Sequence, residues 1–236
     1  MKNSNPCAIK KINLEKMSLT QKCRTLIEIE IHKKMNHPIV ISLYDYAYSI
    51  DDKYLYIAMA LIEGEDLSKV IKKQMGLKKY FSEKYVVKLM YDICLGVQFL
   101  HHERIIHRDL KPQNIMITKE EKVLLADFGM AYDMNAHFQH LAETVVGTPL
   151  YISPEILRKA KYDTKTDVWS LGVILHELLR LDYTFAKNAE SLTDVFKNIQ
   201  NGCYDPLPPV FSKKIGNLVQ SMLTCLLYTS PSPRDS

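Results

Sequence analysis

Hydrophobic and polar positions follow two periods along this chain, and the change from one to the other divides it. Near the start, Ala8-Ile9-Lys10-Lys11-Ile12 is a short strand-like run. Residues 26–35 place apolar side chains at helical spacing and are cut off by Asn36-His37-Pro38, so a helix is predicted to end there. Two apolar-rich runs, 40–50 and 54–61, flank Asp51-Asp52 and read as strands joined by a turn. From there the helical period dominates. Ser82 is placed to cap a long helix whose apolar stripe is Val86, Met90, Ile93, Val97 and Leu100, at steps of four and three. Residues 115–118 and 123–126 form a hairpin pattern around Lys119-Glu120-Glu121-Lys122. Residues 167–179 are apolar on nearly every side, which predicts a helix buried in the centre of its lobe. Further helices are predicted over 190–200 and 212–223. The fold class is therefore α+β. A strand-rich lobe (1–62) precedes a mainly helical lobe (63–224), with the boundary near Glu63-Gly64 and a cleft between them.

Composition changes this picture little. The 236 residues are 47% hydrophobic and 25% charged, ordinary for a globular chain, and the net charge of +4 is spread without a dense basic stripe. Neither nucleic acid nor membrane is an expected partner, since no apolar run is long enough to span a bilayer. The lysine pairs Lys72-Lys73 and Lys78-Lys79 read as solvated surface. The five cysteines, Cys7, Cys23, Cys94, Cys203 and Cys225, are scattered and form no CxxC pair, which points to a reducing, intracellular compartment. No signal marks the oligomeric state. The last twelve residues break the pattern with two prolines and small polar side chains, and they resemble one reading frame of a common transposase sequencing adapter. Residues 225–236 are therefore read as a translated adapter tail and set aside from fold reasoning.

The chemistry concentrates around the hairpin. The run His107-Arg108-Asp109-Leu110-Lys111-Pro112-Gln113-Asn114 is followed by Asp127-Phe128-Gly129. Asn114 immediately precedes the first hairpin strand and Asp127 immediately follows the second, so antiparallel pairing brings them to the same end. An amide oxygen and a carboxylate there suit Mg²⁺ carrying phosphates. Asp109 can reach the same point as base for an incoming hydroxyl, and Lys111 can neutralise a transferred phosphoryl group.

These residues resemble the catalytic and metal-binding loops of eukaryotic protein kinases. Other matches come in the family's order. Cys7-Ala8-Ile9-Lys10 resembles the strand whose lysine holds the α- and β-phosphates of ATP, and Glu28 matches the helix glutamate that pairs with it, with Glu30 as the rival. Residues 56–67 resemble the last strand of the small lobe and the hinge. The resemblance makes Met59 the gatekeeper behind adenine, gives Ala60 C=O and Ile62 N–H to the adenine edge, and gives Asp66 to the ribose, with helix capping as the alternative for Asp66. Residues 147–155 resemble the end of the activation segment (127–155), which receives the substrate. Lys111 and Thr148 resemble the serine/threonine type, and Met130 after Asp-Phe-Gly implies a preference for serine. Thr144 is a candidate phosphorylation site facing Arg108. Asp167 resembles the aspartate that anchors the catalytic loop. Residues 144–155 and 162–179 look most like NIMA-related kinases.

The resemblance implies a protein kinase using ATP and Mg²⁺ on a Ser or Thr of a protein substrate. Departures exist. The family's Gly-rich phosphate loop has no counterpart before Lys10, and the arginine that pairs with Glu155 has none after it. The chain is thus expected to be truncated at both ends, with weak or no turnover of its own. His32 stands where the family usually has leucine and is expected against Leu43, Phe128 and His107. A pseudokinase or scaffold is the alternative function, although the residues such proteins usually lose are all present.

Overall fold

A computed structural model describes residues 6–134, 148–160, 163–187 and 189–224. In the first lobe β1 (Cys7–Asn13), β2 (Leu43–Tyr48) and β3 (Tyr54–Ala60) form an antiparallel sheet in the order β1-β3-β2. The side chains of β1 alternate, so Ala8 and Lys10 face inward while Cys7, Ile9 and Lys11 face solvent. Helix α1 (Leu19–Lys34) begins seven residues before the apolar pattern predicts. Its first turns are polar and leave no periodic signal. A capping box starts it instead: Ser18 accepts from the Gln21 N–H, and the Gln21 side chain accepts from the Ser18 N–H. Ile29 of α1 packs with Leu14, Leu55 and Ile57 in the small core of this lobe, against which Leu43 also packs. Ile31 and Met35 join the larger core instead, so α1 links the two lobes. Residues 40–42 are not part of β2. Val40 bridges Leu125, and Ile41 N–H donates to Leu125 C=O at 3.1 Å, tying the small lobe to the hairpin.

Strand β4 (Gly64–Asp66) opens the second lobe, followed by α2 (Leu67–Gly76), a helix absent from the sequence reading. Its lysines hide a short apolar face, and only Leu67 and Ile71 are buried. Helix α3 (Glu83–His102) is capped by Ser82 as expected, and its five-residue stripe is buried throughout. Strand β5 (Ile105–Ile106) leads to the hairpin β6 (Ile115–Thr118) and β7 (Val123–Leu125), which pairs in register from Ile115 with Leu125. Strand β8 (Tyr132–Asp133) returns to pair with β5. After the short α4 (Pro154–Leu157), helix α5 (Lys165–Arg180) runs through the core with thirteen of its sixteen residues buried. Helices α6 (Leu192–Asn201) and α7 (Lys213–Thr224) close the lobe. The C-terminal residues 225–236 and Thr144 lie outside the described residues.

Candidate active site

The loop 107–114 is built around one buried carboxylate. Asp167, in the first turn of α5, is fully buried. It accepts hydrogen bonds from the backbone N–H groups of His107 and Arg108, both at 2.9 Å. The His101 ring Nε2 donates to the same carboxylate at 2.8 Å. These bonds hold Arg108 in the left-handed region, φ 63°, a conformation a non-glycine residue keeps only when its surroundings impose it. The turn leads into Asp109, itself buried. His101 was not visible in the sequence, because its partner is 66 positions away and no local spacing links them.

Asp109 is the hub of the next shell of contacts. Its carboxylate accepts from Lys111 Nζ at 2.6 Å, from Asn114 Nδ2 at 3.1 Å, and from both the N–H and the hydroxyl of Thr148, at 3.0 and 2.9 Å. Lys111 also donates to the Thr148 hydroxyl at 2.8 Å. An alcohol therefore already donates to this carboxylate beside an ammonium group. Asn114 gives both amide hydrogens to Asp109, one to its backbone oxygen and one to its carboxylate. That orientation leaves the amide oxygen of Asn114 to serve as a ligand.

Across the cleft, Lys10 Nζ lies 3.1 Å from Glu28 and 3.6 Å from Asp127. Burial opposes the charge on Lys10, but the two carboxylates outweigh it and raise its pKa. Glu30, the rival partner, faces Lys33 and solvent. Ala126 N–H donates to Asn114 C=O at 2.9 Å, which closes the hairpin and leaves Asp127 next in line with φ 59°. A Cβ on Gly129 would sit 3.3 Å from both Asp127 and Glu28, so a side chain there would crowd the ion-pair cluster.

A cavity of about 380 Å³ joins these groups, lined by Lys10, Glu28, Asp127 and, at its inner and hinge walls, Met59, Ala60 and Ile62. His32 also lines it, donating from Nε2 to Ile41 C=O and resting on Phe128 with ring centroids 4.9 Å apart. Phe128 rests in turn on His107 at 5.2 Å. Burial holds His32 below the ordinary imidazole range. Asp66 is not among the lining residues. It caps α2, accepting from Lys69 N–H and the Ser68 hydroxyl. Arg108 donates to Met130 C=O at 2.6 Å and lies over the Tyr132 ring.

The segment 148–155 is joined to α5. Tyr151 donates to Glu177 at 2.6 Å, and both are buried. Burial pushes the Glu177 carboxyl up to about 7, with the Asp182 charge adding to the effect and the Tyr151 bond opposing it. Glu155 accepts from the Thr166 hydroxyl at 2.6 Å, while its second oxygen is buried without a partner among the described residues. The expected shortfall at this carboxylate is thus met by Thr166 on one side only.

A model of the protein kinase domain matches residues 1–235. The human serine/threonine-protein kinase Nek5 is 36% identical over 235 residues, covering 99% of this chain and 32% of its own length. The mouse serine/threonine-protein kinase Nek3 is 39% identical over 229 residues, covering 97% of this chain and 42% of its own. The Caenorhabditis elegans serine/threonine-protein kinase nekl-2 is 36% identical over 221 residues, with 91% and 60% covered. The chain spans less than two thirds of the length of each of these relatives. With a matching domain model over nearly its whole length and NIMA-related (Nek) kinases among its relatives, the chain belongs to the protein kinase domain family.

Proposed function

We propose that the protein transfers the γ-phosphoryl group of ATP to a serine or threonine hydroxyl of a protein. The observation that carries this reading is the 2.9 Å bond from Ala126 N–H to Asn114 C=O, which sets the Lys10–Glu28–Asp127 cluster next to the Asp109–Lys111–Thr148–Asn114 cluster. Lys10, held by Glu28, binds the α- and β-phosphates. The hinge segment around Ala60 and Ile62 takes the adenine edge, with Met59 behind it. Asp66, which caps α2 outside the cavity lining, would have to give up part of that capping to reach the ribose.

The donor set fits Mg²⁺. Asn114 offers an amide oxygen, and Asp127 offers a carboxylate whose side chain is 48% exposed. Among the described residues no three His, Cys, Asp or Glu side chains gather as a metal cage. Such a site suits a hard cation that takes its remaining ligands from phosphates and water. Bound there, Mg²⁺ would neutralise phosphate charge during transfer. Asp109 orients the acceptor hydroxyl and receives its proton. The acceptor oxygen bonds to the γ-phosphorus as the bond to the bridging oxygen of ADP breaks. Lys111 offsets the charge on the moving group.

Met130, after Asp-Phe-Gly, supports serine over threonine as acceptor. Phosphate on Thr144, which would present charge to Arg108, is the proposed activating modification. The exposed cysteines Cys7, Cys23, Cys94 and Cys203 are all free, which fits an intracellular location. Among the described residues no helix is long and apolar enough to cross a membrane.

The test is transfer of labelled γ-phosphate to dephosphorylated casein, with the acceptor residues identified by mass spectrometry. Label on serine, and less on threonine, is expected with the complete protein and not with its Asp127→Ala variant. Equal labelling by the two proteins would contradict the reading. ATP binding without transfer would favour the scaffold alternative.

A further inference from the structure

Away from the cleft, the α2–α3 turn and the start of α7 form one surface. Tyr80 meets the edge of the Phe211 ring, with centroids 5.7 Å apart. Glu83 accepts from both the N–H and the hydroxyl of Ser212, at 2.8 and 2.6 Å. These contacts join the segment that carries Lys78, Lys79 and Lys84 to the one that carries Lys213 and Lys214, and all five lysines are exposed. Nearby lysines are neutralised, Lys73 by Glu65 at 2.7 Å and Lys88 by Asp92 at 3.8 Å. Among the described residues none of the five forms an ion pair. Glu83, the acid at the centre, is already taken up by Ser212, and Glu121 acts on the neighbouring Tyr85.

The same surface exposes apolar groups. Leu77 is 71% exposed, Met75 and Tyr80 of the same segment are exposed too, and so is Val210, next in sequence to the Phe211 that Tyr80 touches. Single exposed apolar side chains are ordinary, but four on adjoining turns beside unpaired lysines are not. The turn that carries Leu77 is fixed rather than loose. Leu77 and Lys78 N–H groups donate back to Lys73 and Met75 carbonyls, the Gln74 side chain donates to Lys79 C=O, and Lys78 sits at φ 50°. A preorganised apolar tip ringed by cations loses little entropy when it is covered.

We propose that this face docks an acidic protein segment in which hydrophobic residues interrupt the acidic ones. The charge is complementary, and Leu77 with Met75 supplies the apolar contact. An anionic bilayer is disfavoured because a continuous sheet of charge would press on Glu83 and Glu121 as well. A segment with discrete acids can place them opposite the lysines alone.

The experiment measures fluorescence anisotropy of a labelled peptide of glutamates interrupted by two leucines, titrated with the full chain. Binding is expected to weaken about tenfold as salt rises from about 50 to about 250 mM. Lys78→Glu with Lys79→Glu, and separately Lys213→Glu with Lys214→Glu, should each weaken it about tenfold, while the matching arginine pairs stay within about twofold. Leu77→Ser should weaken it about threefold without changing the salt dependence. Melting temperature and phosphate transfer to casein should not change in any of these variants. Three results would overturn the proposal: less than twofold loss from both glutamate pairs, equal binding of a leucine-free glutamate peptide, or tighter binding to phosphatidylserine vesicles or a DNA duplex than to the peptide.

Discussion

The two walls of the cleft are held in different ways. On the acceptor wall, Asp109, Asn114 and Asp167 are all buried, and each makes two or more hydrogen bonds. On the nucleotide wall, the Lys10 and Asp127 side chains are 39% and 48% exposed, and Lys10 is held by two ion pairs. Glu28 rides on α1, whose buried residues are split between the two cores. The lesson is that the proposed base, Asp109, is positioned by the fold, whereas the proposed phosphate grip at Lys10 depends on where one helix sits. Substitutions on the first wall should damage chemistry and folding together. Those on the second should mainly change nucleotide binding.

The largest effect is expected at the acceptor wall. In the complete protein, Asp109→Ala should lower kcat for phosphate transfer by about 10²–10⁴-fold, the size of a general-base contribution. A loss below about threefold in steady-state turnover would refute that role. Asp167→Ala removes the acceptor for two buried N–H groups. It should lower stability by about 2–6 kcal/mol in chemical denaturation, at about 1–3 kcal/mol for each orphaned group. On the other wall, Glu28→Gln should raise the KM for ATP more than it lowers the melting temperature. Glu30→Gln, whose pairing is exposed, should change stability by less than about 0.5 kcal/mol and leave KM unaltered.

A pH effect separates the buried regions further. Glu177 titrates near 7 in the folded chain, above its ordinary 4.5. Between those values the folded state keeps a proton that the unfolded state has lost, so stability falls as pH rises. The stabilisation is complete below about 4.5 and gone above about 7, an upper limit of about 3 kcal/mol. Glu177→Gln should flatten this part of the melting-temperature profile. An identical slope in both proteins would rule out Glu177 as its source.

What the sequence revealed depended on distance along the chain. The α3 stripe and its Ser82 cap were legible because helical periodicity is local, and all five stripe residues are buried. The placement of Asn114 and Asp127 at one end was legible because a tight hairpin fixes it, as the Ile115–Leu125 register shows. Contacts that cross between elements were hidden. Nothing near His101 announces Asp167, and nothing near Thr148 announces its two bonds to Asp109. Helix α2 was missed because its lysines obscure a two-residue buried face, although Asp66 stood ready as its cap. The beginning of α1 was missed for a related reason, since Ser18 and Gln21 form a box without an apolar period.

The most direct test is calorimetric titration of ATP into the chain with and without Mg²⁺, alongside Asp127→Ala and Asn114→Ala. Wild type should bind ATP more tightly when Mg²⁺ is present, and each variant should lose that gain while still binding nucleotide. Unchanged Mg²⁺ dependence in both variants would mean that the two walls do not meet at a shared metal and phosphate site.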